Sequence, residues 1–137
     1  LGFAFKCNTN DTRESAAIQI CKDLLDEGAY IFIHDPKVKE EQIIKDLGTK
    51  PSDSIKTQTN IKNEKGCWLF IEDIYESLFD SDAIVILTEW EEYKNINWDL
   101  AEQRMRKPAW IFDSRSLIDP QELRNNSFNF WRIGDGA

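Results

Sequence analysis

Ala83-Ile84-Val85-Ile86-Leu87-Thr88 is the stretch on which the fold turns. It is a short, continuous apolar run rich in β-branched residues, set between Asp80-Ser81-Asp82 and Glu89. A run of this kind reads as a strand of a buried sheet. Upstream, Ile71, Ile74, Tyr75, Leu78 and Phe79 recur at helical spacing, and Cys67–Phe70 reads as a short strand. Downstream, Trp98–Lys107 reads as a helix closed by Pro108, followed by a strand over Ala109–Phe112. A loop over Asp113–Asp119, a helical turn over Pro120–Asn125 and a last strand over Phe128–Ile133 complete that half.

The first half repeats the alternation. Leu1–Phe5 is an apolar run with the look of a strand buried on both faces. The polar loop Lys6–Arg13 follows, then Ala17, Ile20, Cys21, Leu24 and Leu25 at helical spacing, ending at Gly28. Asp11 and Glu14, three apart, resemble a capping box. Ala29–His34 is a second strand, stopped by Asp35-Pro36, and Lys39–Leu47 a second helix. Gly48–Gly66 is a polar excursion. Strands alternating with helices predict one α/β domain over residues 1–137. Its architecture is a three-layer, Rossmann-like arrangement: a mostly parallel sheet of about five to six strands with helices on both faces.

Composition narrows the function classes. The 25 acidic and 17 basic residues leave a net charge of −8, a poor match to nucleic acid, whose binding rests on accumulated Lys and Arg. A small phosphate site remains open, because two or three basic groups suffice for a diphosphate. No apolar run approaches the roughly 18 residues of a membrane-spanning helix. Cys7, Cys21 and Cys67 are odd in number and lack CxxC spacing, which predicts reduced thiols and a cytoplasmic protein. His34 is the single histidine; it reads as a surface residue, and no metal site is expected. The opening Leu1-Gly2-Phe3 predicts a strand rather than a leader peptide, with further residues upstream.

Parallel sheets bind ligands at the carboxyl ends of their strands. That rule brings the loops Lys6–Arg13 and Asp113–Asp119 to one edge. Lys6, Arg13 and Arg115 are then placed to meet an anion, and Phe5 offers an apolar face to a base or sugar. The alternative is that Arg13 pairs with Asp11 or Glu14, and Arg115 with Asp113, as solvated surface charges. No Gly-x-Gly-x-x-Gly, no phosphate-binding P-loop and no Ser/His/Asp or Cys/His set is present, so no catalytic residue is assigned.

The order of motifs is distinctive. Leu1-Gly2-Phe3-Ala4-Phe5-Lys6, then Asp11-Thr12-Arg13-Glu14-Ser15, resembles the Gly-Phe-Ala-Phe-Lys and Asp-Thr-Arg-Glu-Ser run of UDP-glucose dehydrogenases. Asp35-Pro36-Lys37-Val38, Thr88-Glu89-Trp90, Pro108-Ala109-Trp110-Ile111-Phe112-Asp113 and Ile133-Gly134 continue the likeness in order. The resemblance implies the C-terminal, UDP-sugar-binding domain of a UDP-glucose/GDP-mannose dehydrogenase. It implies partners too: a UDP-sugar, the N-terminal NAD-binding and central domains of the same chain, and a homo-oligomer. The implied reaction is the twofold, NAD-dependent oxidation of UDP-glucose, with the catalytic Cys in another domain. By matching positions, Phe5, Lys6 and Arg115 would contact the UDP-sugar, and Arg13 would face NAD.

Ser114 stands where the family has Gly, so strain is expected there if the position needs φ > 0. Trp90 is expected to pack under a loop, Trp98, Trp110 and Trp131 to anchor helix and strand contacts, and Glu89 to be a solvated or capping carboxylate, with a part in shaping the cleft as the alternative. Two other readings are a dehydrogenase of another UDP-sugar, such as UDP-N-acetylmannosamine, and a receiver-like, non-catalytic module. The second sits badly with Lys6, where a receiver carries an acidic residue.

Overall fold

A computed structural model describes residues 1–53 and 65–134 of the chain. Most of the polar excursion expected between Gly48 and Gly66 lies outside the described residues. Its two ends are tied together: Ser52 N donates to Trp68 O, and Trp68 Nε1 donates to Thr49 Oγ1 at 3.1 Å.

Strands and helices alternate as the pattern requires. The strands are β1 (Tyr30–Ile33), β2 (Cys67–Phe70), β3 (Ala83–Ile86), β4 (Trp110–Asp113) and β5 (Asn129–Arg132). The helices are α1 (Ala16–Asp26), α2 (Glu40–Leu47), α3 (Ile74–Ser77), α4 (Glu91–Lys94) and α5 (Trp98–Arg104), with a 3-10 turn over Pro120–Leu123. Every strand pairing is parallel. β1 pairs with β2, and β3, β4 and β5 form a second sheet in that order. α1 packs on α2 and β1, while α3 packs on α5. Among the described residues no helix is long and apolar enough to cross a membrane.

The sheet is thus smaller than expected and divided in two. The cause lies at Leu1–Phe5, which is not a regular strand. Leu1 N donates to Val85 O, and Leu87 N donates back to Leu1 O at 2.9 Å. Gly2 N donates to His34 O on the other side. The segment therefore begins as a rung between β1 and β3. Gly2 then takes φ +91°, a conformation outside the extended region, and the chain leaves the ladder. A cavity of about 810 Å³ separates the sheets, lined by Ile31 and Ile33 on one side and Ala83 and Val85 on the other.

Period-two alternation sets the core of the larger sheet. Ile84, Ile86 and Ile111 face inward and are buried, each side chain contributing about 1.5–3 kcal/mol by leaving water. The opposite face is open. Trp110 is 41% exposed and Trp131 44% exposed, and the Phe112 ring between them stacks on Trp110 at 5.5 Å. Trp98 is buried, and Trp110 and Trp131 make their strand contacts through Phe112 on this open face. Phe112 and Trp131 stand opposite one another in register, so they share that face.

α1 starts at Ala16, beyond the expected Asp11–Glu14 capping box. Glu14 has φ +61° and cannot serve as a helical residue; Ser15 is the cap, its Oγ accepting from Ala17 N. α5 ends at Arg104, short of Lys107, and α3 is a single turn capped by Asp73.

Candidate functional site

Two aspartates at the carboxyl ends of strands organise the edge. Asp35 follows β1 and is buried. Its Oδ2 accepts from Phe3 N at 2.8 Å, Ala4 N at 3.0 Å and Trp90 Nε1 at 3.1 Å. Its Oδ1 accepts from Lys37 N and Val38 N. Asp113 closes β4 and is also fully buried. It accepts from the amides of Arg115, Leu117 and Ile118 at 2.7–3.0 Å. Both carboxylates replace a broken strand ladder with a fan of amide donors, as short acidic side chains do in turns.

This arrangement fixes the peptide ahead of Lys6. Phe3 O accepts from Ser15 Oγ, and Ala4 O accepts from Thr88 Oγ1, both at 2.8 Å. Phe5 N donates to Asp11 O. Phe5 O accepts from Arg115 Nη2 at 3.2 Å. With its backbone groups satisfied on every side, the segment presents the Phe5 ring, which is 42% exposed, and the Lys6 side chain to solvent.

The structure therefore brings Phe5, Lys6 and Arg115 to one edge. Arg115 does not pair with the Asp113 side chain, which is occupied by amides. Its Nε donates to Leu87 O at 2.9 Å and also lies 3.3 Å from Glu89 Oε2. Of five guanidinium N–H groups, Nε and one on Nη2 are used. The two on Nη1 and the second on Nη2 have no partner among the described residues and are available to an anion.

Arg13 stands apart from that cluster. Its guanidinium forks onto Asp11, with Nη2 to Oδ2 at 2.8 Å, and is 88% exposed. The arginine's bonds and charge hold the Asp11 carboxyl down at about 2. Ser114 shows no positive φ; Ser116 adopts it, at φ +52°. The Ser114 amide and Oγ both donate to Ile86 O, which ties the end of β4 to β3 and removes the expected strain.

Glu89 is neither a helix cap nor freely solvated. Its Oε1 accepts from Cys7 N at 3.2 Å, and Oε2 faces Arg115. Partial burial pushes its pKa up, but the backbone donors of Cys7 and Glu89 and the charge of Arg115 together leave it below the usual carboxylate value. Sequence reasoning also missed Asp35 and Asp113 as organisers. The signal was there: an Asp placed directly after an apolar strand, ahead of a loop. His34, read as a surface histidine, is buried, with Nδ1 2.8 Å from Tyr93 Oη. Trp90 is buried beneath the edge, as expected. The 810 Å³ cavity touches none of Phe5, Lys6, Arg13 and Arg115, so it is distinct from this edge. Among the described residues, no cluster of three or more potential metal ligands occurs.

With this geometry in view, comparison with known proteins is decisive. A sequence model of the UDP-glucose/GDP-mannose dehydrogenase family, UDP binding domain, matches residues 1–120. The chain belongs to this family. It is 46% identical over 134 residues to the UDP-glucose 6-dehydrogenase of Drosophila melanogaster, covering 98% of the chain and 27% of that relative. It is 41% identical over 141 residues to UDP-glucose 6-dehydrogenase 4 of Arabidopsis thaliana, covering 98% and 28%. The Rattus norvegicus enzyme of the same name is 42% identical over 139 residues, with 98% and 26% covered. The chain thus spans just over a quarter of the length of the curated relatives it matches. The matched residues include Phe5, Lys6, Arg13 and Arg115.

Proposed function

We propose that this chain supplies the UDP-sugar half-site of an NAD-dependent dehydrogenase that oxidises UDP-glucose to UDP-glucuronate. In this reading the domain closes over the nucleotide sugar while other domains of the longer protein carry the redox chemistry. The observation that carries it is the bond from Arg115 Nη2 to Phe5 O. That bond sets an arginine with three open N–H groups beside an exposed phenyl ring and Lys6. A base or sugar would lie against Phe5, and the diphosphate would take Lys6 and Arg115.

NAD is implied by the family, and the residues of this chain do not form a dinucleotide site by themselves. The loop Lys6–Arg13 has no glycine, and the amides of Phe3, Ala4 and Cys7 are already bound by Asp35 and Glu89. Arg13, exposed and held on one edge by Asp11, is the residue we assign to the nicotinamide nucleotide, across a cleft closed by another domain. The free thiols Cys7, Cys21 and Cys67 favour a reducing, cytoplasmic setting. The domain spans the whole chain in this reading, and the complete enzyme acts as a homo-oligomer.

The test uses the complete protein. NADH formation is followed with UDP-glucose, UDP-N-acetylmannosamine and GDP-mannose, and UDP binding is followed by calorimetry. Turnover of UDP-glucose with two NAD consumed per sugar is expected. Absence of NADH with every nucleotide sugar would end the proposal. Arg13→Ala should raise the KM for NAD and leave UDP affinity as it was.

A further inference from the structure

Leu87–Trp90 forms the template of the edge, each residue engaging a different part of it. Leu87 O takes Arg115 Nε, Thr88 Oγ1 holds Ala4 O, and Trp90 Nε1 reaches Asp35. Glu89 is the member with no evident structural need for a charge. Its hydrogen-bond donors belong to Cys7 and to its own backbone, and a neutral Gln carbonyl would accept from them too. A negative charge beside a diphosphate site opposes the ligand, so a carboxylate here needs another cause.

That cause is Arg115. Glu89 Oε2 lies 3.3 Å from Arg115 Nε, yet the N–H of Nε is directed at Leu87 O. Oε2 is buried and has no hydrogen-bond partner among the described residues. The contact is therefore an attraction between charges rather than a shared proton. It acts on the inner edge of the guanidinium and leaves the outer N–H groups open. The same carboxylate holds Cys7 N, one residue past Lys6. One side chain thus faces Arg115 and holds the backbone turn that follows Lys6.

We infer that Glu89 is a positioning residue for UDP-sugar binding, acting through Arg115 and the Lys6–Cys7 turn and not by touching the ligand. The inference rests on the half-site proposed above. Pre-setting the long, flexible Arg115 side chain removes part of the ordering cost that the ligand would otherwise bear.

Glu89→Gln and Arg115→Ala are made singly and together in the complete dehydrogenase, with UDP affinity read by calorimetry and steady-state kinetics measured on UDP-glucose. E89Q is expected to weaken UDP about tenfold and to raise KM with little change in kcat. In the R115A background, E89Q should change UDP affinity less than about twofold, because the residue it positions is gone. If R115A weakens UDP but E89Q alone does not, the inference is overturned while the half-site stands. Equal costs of E89Q in both backgrounds would overturn it too, because Glu89 would then act independently of Arg115. If R115A itself leaves UDP affinity unchanged, the half-site falls and the role of Glu89 falls with it.

Discussion

Arg115 Nη2 and Phe5 O, 110 positions apart in the sequence, share a hydrogen bond of 3.2 Å. The bond joins the loop after β4 to the loop that carries Lys6. In the proposed half-site, Arg115→Ala would remove a charge-assisted ligand contact, a loss of about 1.5–3 kcal/mol. The dissociation constant for UDP should rise roughly 10- to 100-fold, as read by calorimetry on the complete protein. Arg115→Lys should recover only part of the affinity, because an ammonium cannot bond Leu87 O and Phe5 O while also presenting a fork.

Asp35 predicts a stability effect rather than an affinity effect. Five donors converge on one buried carboxylate. Asp35→Ala strands them and should cost about 3–5 kcal/mol, seen as a lower urea midpoint with an unchanged slope. Asp35→Asn should also destabilise, since its amide nitrogen cannot accept. A variant as stable as the parent would mean that those amides find other partners.

Gly2 is set by space as well as by φ. A Cβ built there would stand 2.5 Å from Thr88 Cβ, and the backbone sits at φ +91°. Gly2→Ala should therefore destabilise by roughly 3 kcal/mol or more, and the push on Thr88 should break its bond to Ala4 O. Thermal unfolding measures the first effect. Faster exchange of the Ala4 and Phe5 amides measures the second.

His34 predicts a pH dependence. Burial, the leading cause, lowers its pKa from 6.5 to about 4. The unfolded chain thus takes up the proton before the folded one. Stability is full above about pH 6.5 and falls as the pH drops toward 4, by about 3 kcal/mol across that window. Denaturant unfolding of the parent and His34→Gln at pH 7, 5.5 and 4 isolates this contribution from that of the carboxylates. A stability difference between the two that does not vary with pH would mean that His34 titrates as it does in the unfolded chain.

Alternation of strand and helix was legible because burial imposes its period on the sequence: Ile84, Ile86 and Ile111 mark the inner face directly. The division of the sheet was not legible. It depends on one backbone angle at Gly2 and on amides captured by Asp35, and neither leaves a periodic trace. The open face of Trp110 and Trp131 was hidden for a related reason: an apolar run does not say whether its second face is covered. Phe5, Lys6 and Arg115 were named from loop position and resemblance, and the fold brings them together. The contact between Glu89 and Arg115 escaped because it is a distance that spacing along the chain does not encode. The capping box failed because Glu14 takes a left-handed conformation and hands the cap to Ser15.

Residues 1–4 touch both sheets: Gly2 binds the end of β1 through His34 O, and Leu1 binds β3 through Val85 O and Leu87 N. The peptide then runs directly into Phe5 and Lys6. Any sliding of one sheet against the other must pass through this splice and so must move Phe5 and Lys6. The two sheets and the proposed half-site thus share one mechanical coordinate. A nucleotide that fixes Phe5, Lys6 and Arg115 would lock the mutual placement of the sheets as well, and a protein saturated with UDP should then melt as one cooperative body.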